Sequence, residues 1–106
     1  MNRYGLMARH HWAQWLPARY AQITDPGSFF ASLGQQAQDQ IQDLMMDLAG
    51  DDPAGEEYLA KQARLNTARL EAEGQVLREL ILLEPEPGTQ EDPDQNPASQ
   101  PQENPA

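Results

Sequence analysis

Apolar residues recur at intervals of three and four along the chain up to Leu83, and no stretch keeps the strict alternation that a strand requires. Starting from Tyr4 and advancing about 100° per residue, Met7, Ala8, His11, Trp12 and Trp15 fall on one arc, which predicts an amphipathic helix over residues 4–15. Pro17 restrains Leu16 from helical geometry and suits a first turn, so 17–23 is expected to be a kinked continuation or a short second helix. Thr24 or Asp25 is positioned to cap the next element, with Pro26 in its first turn. Phe29, Phe30, Leu33, Ala37, Ile41, Leu44 and Leu48 then predict a helix over 26–49. Gly50 fits its C-terminus and 51–55 reads as a short loop. A last helix is predicted from near Glu56 to Leu83, with Tyr58, Leu59, Leu65, Leu70, Ala72, Val76, Leu77, Leu80 and Ile81 as its apolar stripe and Pro85 and Pro87 beyond its end.

The expected fold is therefore all-α: a small antiparallel bundle of three main helices over 1–83, followed by a disordered, acidic, Pro/Gln-rich tail over 84–106. The two long helices should measure roughly 35 to 42 Å and the first only about 18 Å, so the first covers about half of the groove between them. The remainder calls for a cover from segment 17–23, from a partner helix or from a second copy, and self-association is expected on that ground.

Charge sharpens this picture. Among 106 residues, 17 acidic side chains against 7 basic ones give a formal charge of −10, which disfavours a phosphate-backbone grip and argues against direct nucleic-acid binding. Residues 1–23 carry Arg3, Arg9 and Arg19 and no acid; residues 24–52 carry Asp25, Asp39, Asp43, Asp47, Asp51 and Asp52 and no base, so the two segments should attract each other. No cysteine is present, which excludes disulfides, thiolate nucleophiles and the usual structural zinc sites. No leader-like or membrane-spanning apolar run occurs, and a cytoplasmic location is expected.

Candidate chemistry is sparse. His10 and His11 are adjacent and point about 100° apart on a helix, so they do not converge on a metal ion, and His11 reads as a partly buried packing residue. Met45 and Met46 read as core and near-core filler. Asp39, Asp43 and Asp47 recur at every fourth position, a line of carboxylates roughly 6 Å apart that is either a solvated helix face or a docking face for a basic surface. Arg69 and Glu73 fall inside the apolar arc of the last helix with Asn66 and Gln62, and are expected as a structural polar pair; Arg64 is expected to face solvent. No glycine-rich phosphate loop, metal motif or convergent catalytic set is found, so an enzyme is not expected and no cofactor is implied.

The run from Arg64 to Ile81 resembles the C-terminal signature of the TnpV family of small transposon-encoded proteins. The correspondence lies at Arg64, Asn66, Arg69, Ala72, Glu73, Val76, Leu77, Glu79, Leu80 and Ile81, and the Tyr4-Gly5 pair followed by Pro17 and Tyr20 is also similar. The chain departs from the family pattern at Leu6, Ala8 and Trp12, where lysine and arginine would be more usual. The resemblance implies a setting on a bacterial or phage mobile element and no known reaction.

Three functional expectations follow. The first is a non-enzymatic interaction or accessory protein of a mobile genetic element, working on a protein partner through an acidic helix face and an apolar groove. The second is an inhibitor of a nucleic-acid-binding host enzyme or defence complex by acidic DNA mimicry, of anti-CRISPR or anti-restriction type. The third is a small transcriptional regulator using residues 1–23, whose three arginines form a thin phosphate footprint.

Overall fold

Asn2 starts the first helix and also fastens it. Its Oδ1 accepts the Gly5 amide at 2.9 Å as an N-cap, while its Nδ2 donates to the Gly34 carbonyl at 3.0 Å and to Gln38 Oε1 at 3.1 Å. In the computed structural model, which describes residues 1–89, α1 runs Arg3–Trp15, α2 Pro17–Ala21, α3 Pro26–Ala49 and α4 Tyr58–Val76, continued by a π-helical turn Leu77–Ile81. The fold is helical, with no strand among the described residues, as the periodicity predicted.

The helix ends follow from local chemistry. Leu16 precedes Pro17 and takes φ −129°, ψ 54°, outside the helical region, which separates α1 from α2. Asp25 Oδ1 accepts the Ser28 amide at 3.2 Å, and Pro26 occupies the first turn of α3. Gly50, at φ +66°, carries the chain out of α3 through a conformation that side chains disfavour.

α1 packs on α3, α3 on α4, and the π-helical turn meets both α1 and α3. The bulkiest part of the core lies where these elements converge, with Phe30, Leu16 and Ile81 fully buried. Trp12 tilts against Phe29 and meets Phe30 edge-on at centroid distances of 5.4 and 5.5 Å, and Tyr20 stacks on Phe30 at 5.8 Å. Trp12 Nε1 donates to the Ile81 carbonyl at 3.0 Å, so the indole is satisfied by the end of the π-helical turn. Away from this cluster the buried contacts are mostly small: Ala37 and Ile41 on α3, Ala68, Ala72 and Val76 on α4.

Three expectations need correction. The last helix is not one α-helix over 56–83: it begins at Tyr58 and widens into π geometry at Leu77, where the wider turn delivers the Ile81 carbonyl to Trp12. Residues assigned to the buried stripe or its edge are exposed, Leu48 by 47%, Leu70 by 53%, Met46 by 62%, Tyr58 by 73% and Leu59 by 78%. The cause is the shortness of α1, whose first turn reaches only Gln38 and Glu73, leaving the rest of the α3–α4 pair without a third helix among the described residues.

The third concerns the expected tail, because residues 84–89 dock on the α1–α2 elbow. The Glu86 amide donates to the Trp15 carbonyl at 2.9 Å, and Thr89 Oγ1 donates to the same carbonyl at 3.1 Å. The Glu86 carboxylate accepts the Ala18 and Arg19 amides at 3.0 and 3.1 Å, capping α2, whose own N-cap residue Leu16 has no side-chain acceptor. The remainder of the expected tail, 90–106, lies outside the described residues.

Candidate functional site

α3 carries Asp39, Asp43 and Asp47 as an exposed line. Gln35 Nε2 donates to Asp39 Oδ1 at 3.0 Å, one turn back on the same helix. Asp43 and Asp47 border a shallow groove of about 260 Å³ with Gln40, Leu44, Gln75, Val76 and Glu79. The acidic edge thus continues across onto the π-helical turn through Glu79. Helical spacing gives no sign of this addition, since it depends on how α4 lies against α3.

Arg69, Glu73 and Asn66 do not form the unit expected of them. Arg69 is exposed and donates to Asn66 Oδ1 at 3.0 Å. Glu73, 18% exposed, instead accepts from Arg3 Nη2 at 2.6 Å and from the Tyr4 hydroxyl at 2.7 Å. A base four residues before an acid is the weaker helical orientation, and α1 brings two better-placed donors to the carboxylate. Burial, followed by the hydrogen bond to Glu73, raises the Tyr4 phenol above its ordinary value, and the hydrogen bond to Tyr4 is the first cause raising the Arg3 guanidinium.

Arg64 also departs from expectation. Its side chain is 23% exposed and is the hub of the α3–α4 connection. It donates to the Ala49 carbonyl at the end of α3, to Asp52 Oδ1 at 2.7 Å, and to both Glu56 oxygens at 2.8 and 2.9 Å, while Lys61 Nζ adds a 2.7 Å bond to Asp52. The guanidinium is held above its usual range chiefly by its hydrogen bonds to Glu56. Glu56 is lowered by Arg64, and Asp52 by Lys61 and then Arg64. The signal available beforehand was the acid-rich loop 51–57 immediately ahead of Lys61 and Arg64.

Two further concave surfaces are present. One continues along α3–α4 past the start of α1, about 320 Å³ and lined by Met45, Met46, Ala49 and Leu65 with Gln42, Gly50, Asp52 and Lys61. Met45 is half-buried there but Met46 is exposed, so only the first fits the expected filler role. The other, about 530 Å³, lies between α1 and α2 and is lined by Leu6, Arg9, His10, Ala13, Gln14 and Tyr20. His10 opens onto it, whereas half-buried His11 turns inward and donates from Nε2 to the Leu83 carbonyl at 2.7 Å.

Among the described residues no three His, Cys, Asp or Glu side chains converge as metal ligands, and no helix is long and apolar enough to cross a membrane. What the site offers is contact surface: an acidic groove at Asp43, Asp47 and Glu79, an apolar groove beside Arg9 and His10, and a mixed one at Asp52 and Lys61. No family model, curated protein or solved structure matches the chain.

Proposed function

We propose that the chain is a non-enzymatic interaction protein, an accessory protein of a mobile genetic element, which engages a protein partner through the acidic edge of α3 and the apolar face of the α3–α4 pair. The observation that carries this reading is the exposure of Met46, Leu48, Tyr58 and Leu59 around the α3–α4 connection, on a helix pair whose α3 also carries Asp43 and Asp47 exposed. Exposed large apolar side chains grouped near one end of a small domain are a common mark of a docking surface. The helices are taken as an antiparallel bundle on the strength of their cross-links: Asn2 with Gln38 and Trp12 with Phe29 for α1 and α3, Arg64 with Ala49 for α4 and α3.

The resemblance to the TnpV family supports the mobile-element setting. Several residues that carry it are fold-fastening residues here: Tyr4 and Glu73 bond each other, Gly5 lies against α3, and Arg64 clasps the loop. A cytoplasmic site of action is part of the same proposal. DNA mimicry is the second reading, and it is favoured by Glu79 extending the Asp43 and Asp47 edge onto a second helix. The regulator reading is weaker, since Glu73 already neutralises Arg3.

A retention experiment from host lysate at physiological salt tests the proposal, comparing wild type with Asp39→Asn/Asp43→Asn/Asp47→Asn. Retention of a specific protein by the wild type alone is expected. Equal retention of the same protein by both would remove the acidic edge from the account. A nuclease or defence complex as the retained protein would favour mimicry.

A further inference from the structure

We infer that copies of this chain associate head to tail, the α1–α2 groove of one copy receiving the Leu44–Leu48 stripe of α3 from the next. This rests on the reading of the acidic α3 edge as a protein-docking surface and names a second copy as an occupant.

The fold leaves several charges unused. The basic first segment and the acidic second segment should attract, yet the ion pairs among the described residues are Arg3–Glu73, Lys61–Asp52, Arg64–Asp52 and Arg64–Glu56. Arg19 lies over the Trp12 ring at 5.3 Å. Arg9 is therefore without a carboxylate partner among the described residues, and Asp43 and Asp47 are without a cation. Their complementarity is available between molecules.

Shape agrees with charge. Leu6, Arg9, His10 and Ala13 follow one another at three, one and three along α1 and form one wall of an apolar groove closed by Tyr20, with Leu6 54% exposed. On α3, half-buried Leu44 and 47% exposed Leu48 form a narrow stripe, and Asp43 and Asp47 flank it at the same four-residue spacing. Helices packed side by side lie about 8–10 Å apart. At that separation a leucine stripe seated between Leu6 and Tyr20 brings Asp43 or Asp47 within reach of the Arg9 guanidinium, a charge-assisted contact at the rim of an apolar one.

The two surfaces differ, so the contact is heterologous. Each copy retains one unused face of each kind, and association continues until a ring closes or the copies run out.

The test is sedimentation of the full chain over a range of concentrations, using wild type, Arg9→Glu and Asp43→Lys/Asp47→Lys. All three positions are exposed, and helix content by circular dichroism checks that each variant is folded. The wild type should sediment above its 11.9 kDa monomer mass, increasingly so with concentration. Each variant alone should be monomeric, because one of its two faces is spoiled. Mixed in equal amounts they should associate again, since the Arg9→Glu copy still offers an unaltered α3 to the other copy's unaltered groove, and the two reversed faces are themselves of opposite charge. Should Arg9→Glu fail to fold, Arg9→Gln is expected to lose association in the same way.

A monomeric wild type at its highest soluble concentration overturns the inference, and so does an oligomer that survives both variants. In either case the wider reading stands if wild type still retains a host protein that the triple Asp→Asn variant does not. It fails separately if that retention is also absent.

Discussion

Gly5 on α1 and Gly34 on α3 lie in backbone contact: a methyl group added at Gly34 would sit 2.6 Å from the Gly5 nitrogen and 2.9 Å from its Cα. A methyl group at Gly5 would in turn meet the Phe30 carbonyl at 2.6 Å. The two glycines set how closely α1 and α3 approach, and hence whether Asn2 reaches Gly34 and Gln38. Gly34→Ala gains about 1 kcal/mol of helix propensity, but the obstacle is backbone, so the helices must separate. A net destabilisation of about 1–2 kcal/mol is expected in urea unfolding. Gly74→Ala is the contrasting control, because its methyl group would meet only the flexible end of Arg78 at 3.5 Å; it should stabilise by about 0.5–1 kcal/mol.

Glu73 should couple to Tyr4 and not to Arg69. In a double-mutant cycle, Tyr4→Phe and Glu73→Ala are expected to show an interaction of about 1 kcal/mol, the usual worth of a partly buried hydrogen bond. Arg69→Ala with Glu73→Ala should add within error. A sizeable Arg69–Glu73 coupling would mean that the pair expected from spacing exists in solution after all.

The same hydroxyl gives the fold a sensitivity to alkali. The Tyr4 phenol is raised in the folded state, so its contribution is fully present below the ordinary value of 10.0 and is lost as pH rises through the folded value. Thermal melting followed upward from pH 9 should show a decline that Tyr4→Phe reduces.

At the acid end the sign is reversed. Asp52 and Glu56 are lowered below their ordinary values of 3.8 and 4.5, so their contribution is present above those values and is lost as pH falls through the depressed ones. Arg64→Ala removes the shared partner. The variant should melt lower than wild type at neutral pH, with the difference shrinking in acid, a comparison that calorimetry at two pH values decides.

Glu86→Ala should free the first amides of α2 and lower stability by about 1 kcal/mol, the common effect of losing a helix cap. Glu86→Gln keeps an acceptor and should lose less. If both behave as wild type, segment 84–89 does not cap α2 in solution.

The breaks between helices were legible because Pro17, Pro26 and Gly50 act through their own backbone restrictions, which need no neighbour. The interior of the last helix was less so. Nothing in the spacing of Val76, Leu77 and Leu80 announces a π-helical turn, which supplies a carbonyl to Trp12 from the far end of the chain. Glu73 was singled out as a polar residue on the apolar arc and Arg64 was expected in solvent; the partners of both, Tyr4 and the loop acids, are fixed by tertiary approach. The exposure of Tyr58 and Leu59 depended on the length of α1, and there the expected half-covered groove agrees with the exposed residues better than the expected stripe does.

The position of Ile81 bears on the order in which the molecule can assemble. Trp12 and Leu16, near the start, close against Ile81 and its carbonyl, and α2 is capped by Glu86. A chain growing from its N-terminus therefore carries its tryptophans and phenylalanines without their cover until the last helix has emerged from the ribosome. A release factor or nuclease that stopped synthesis after Val76 would leave a product with α1 to α4 but without the Ile81 side chain and carbonyl that close over Trp12, and that product should be an early target for chaperones and proteases.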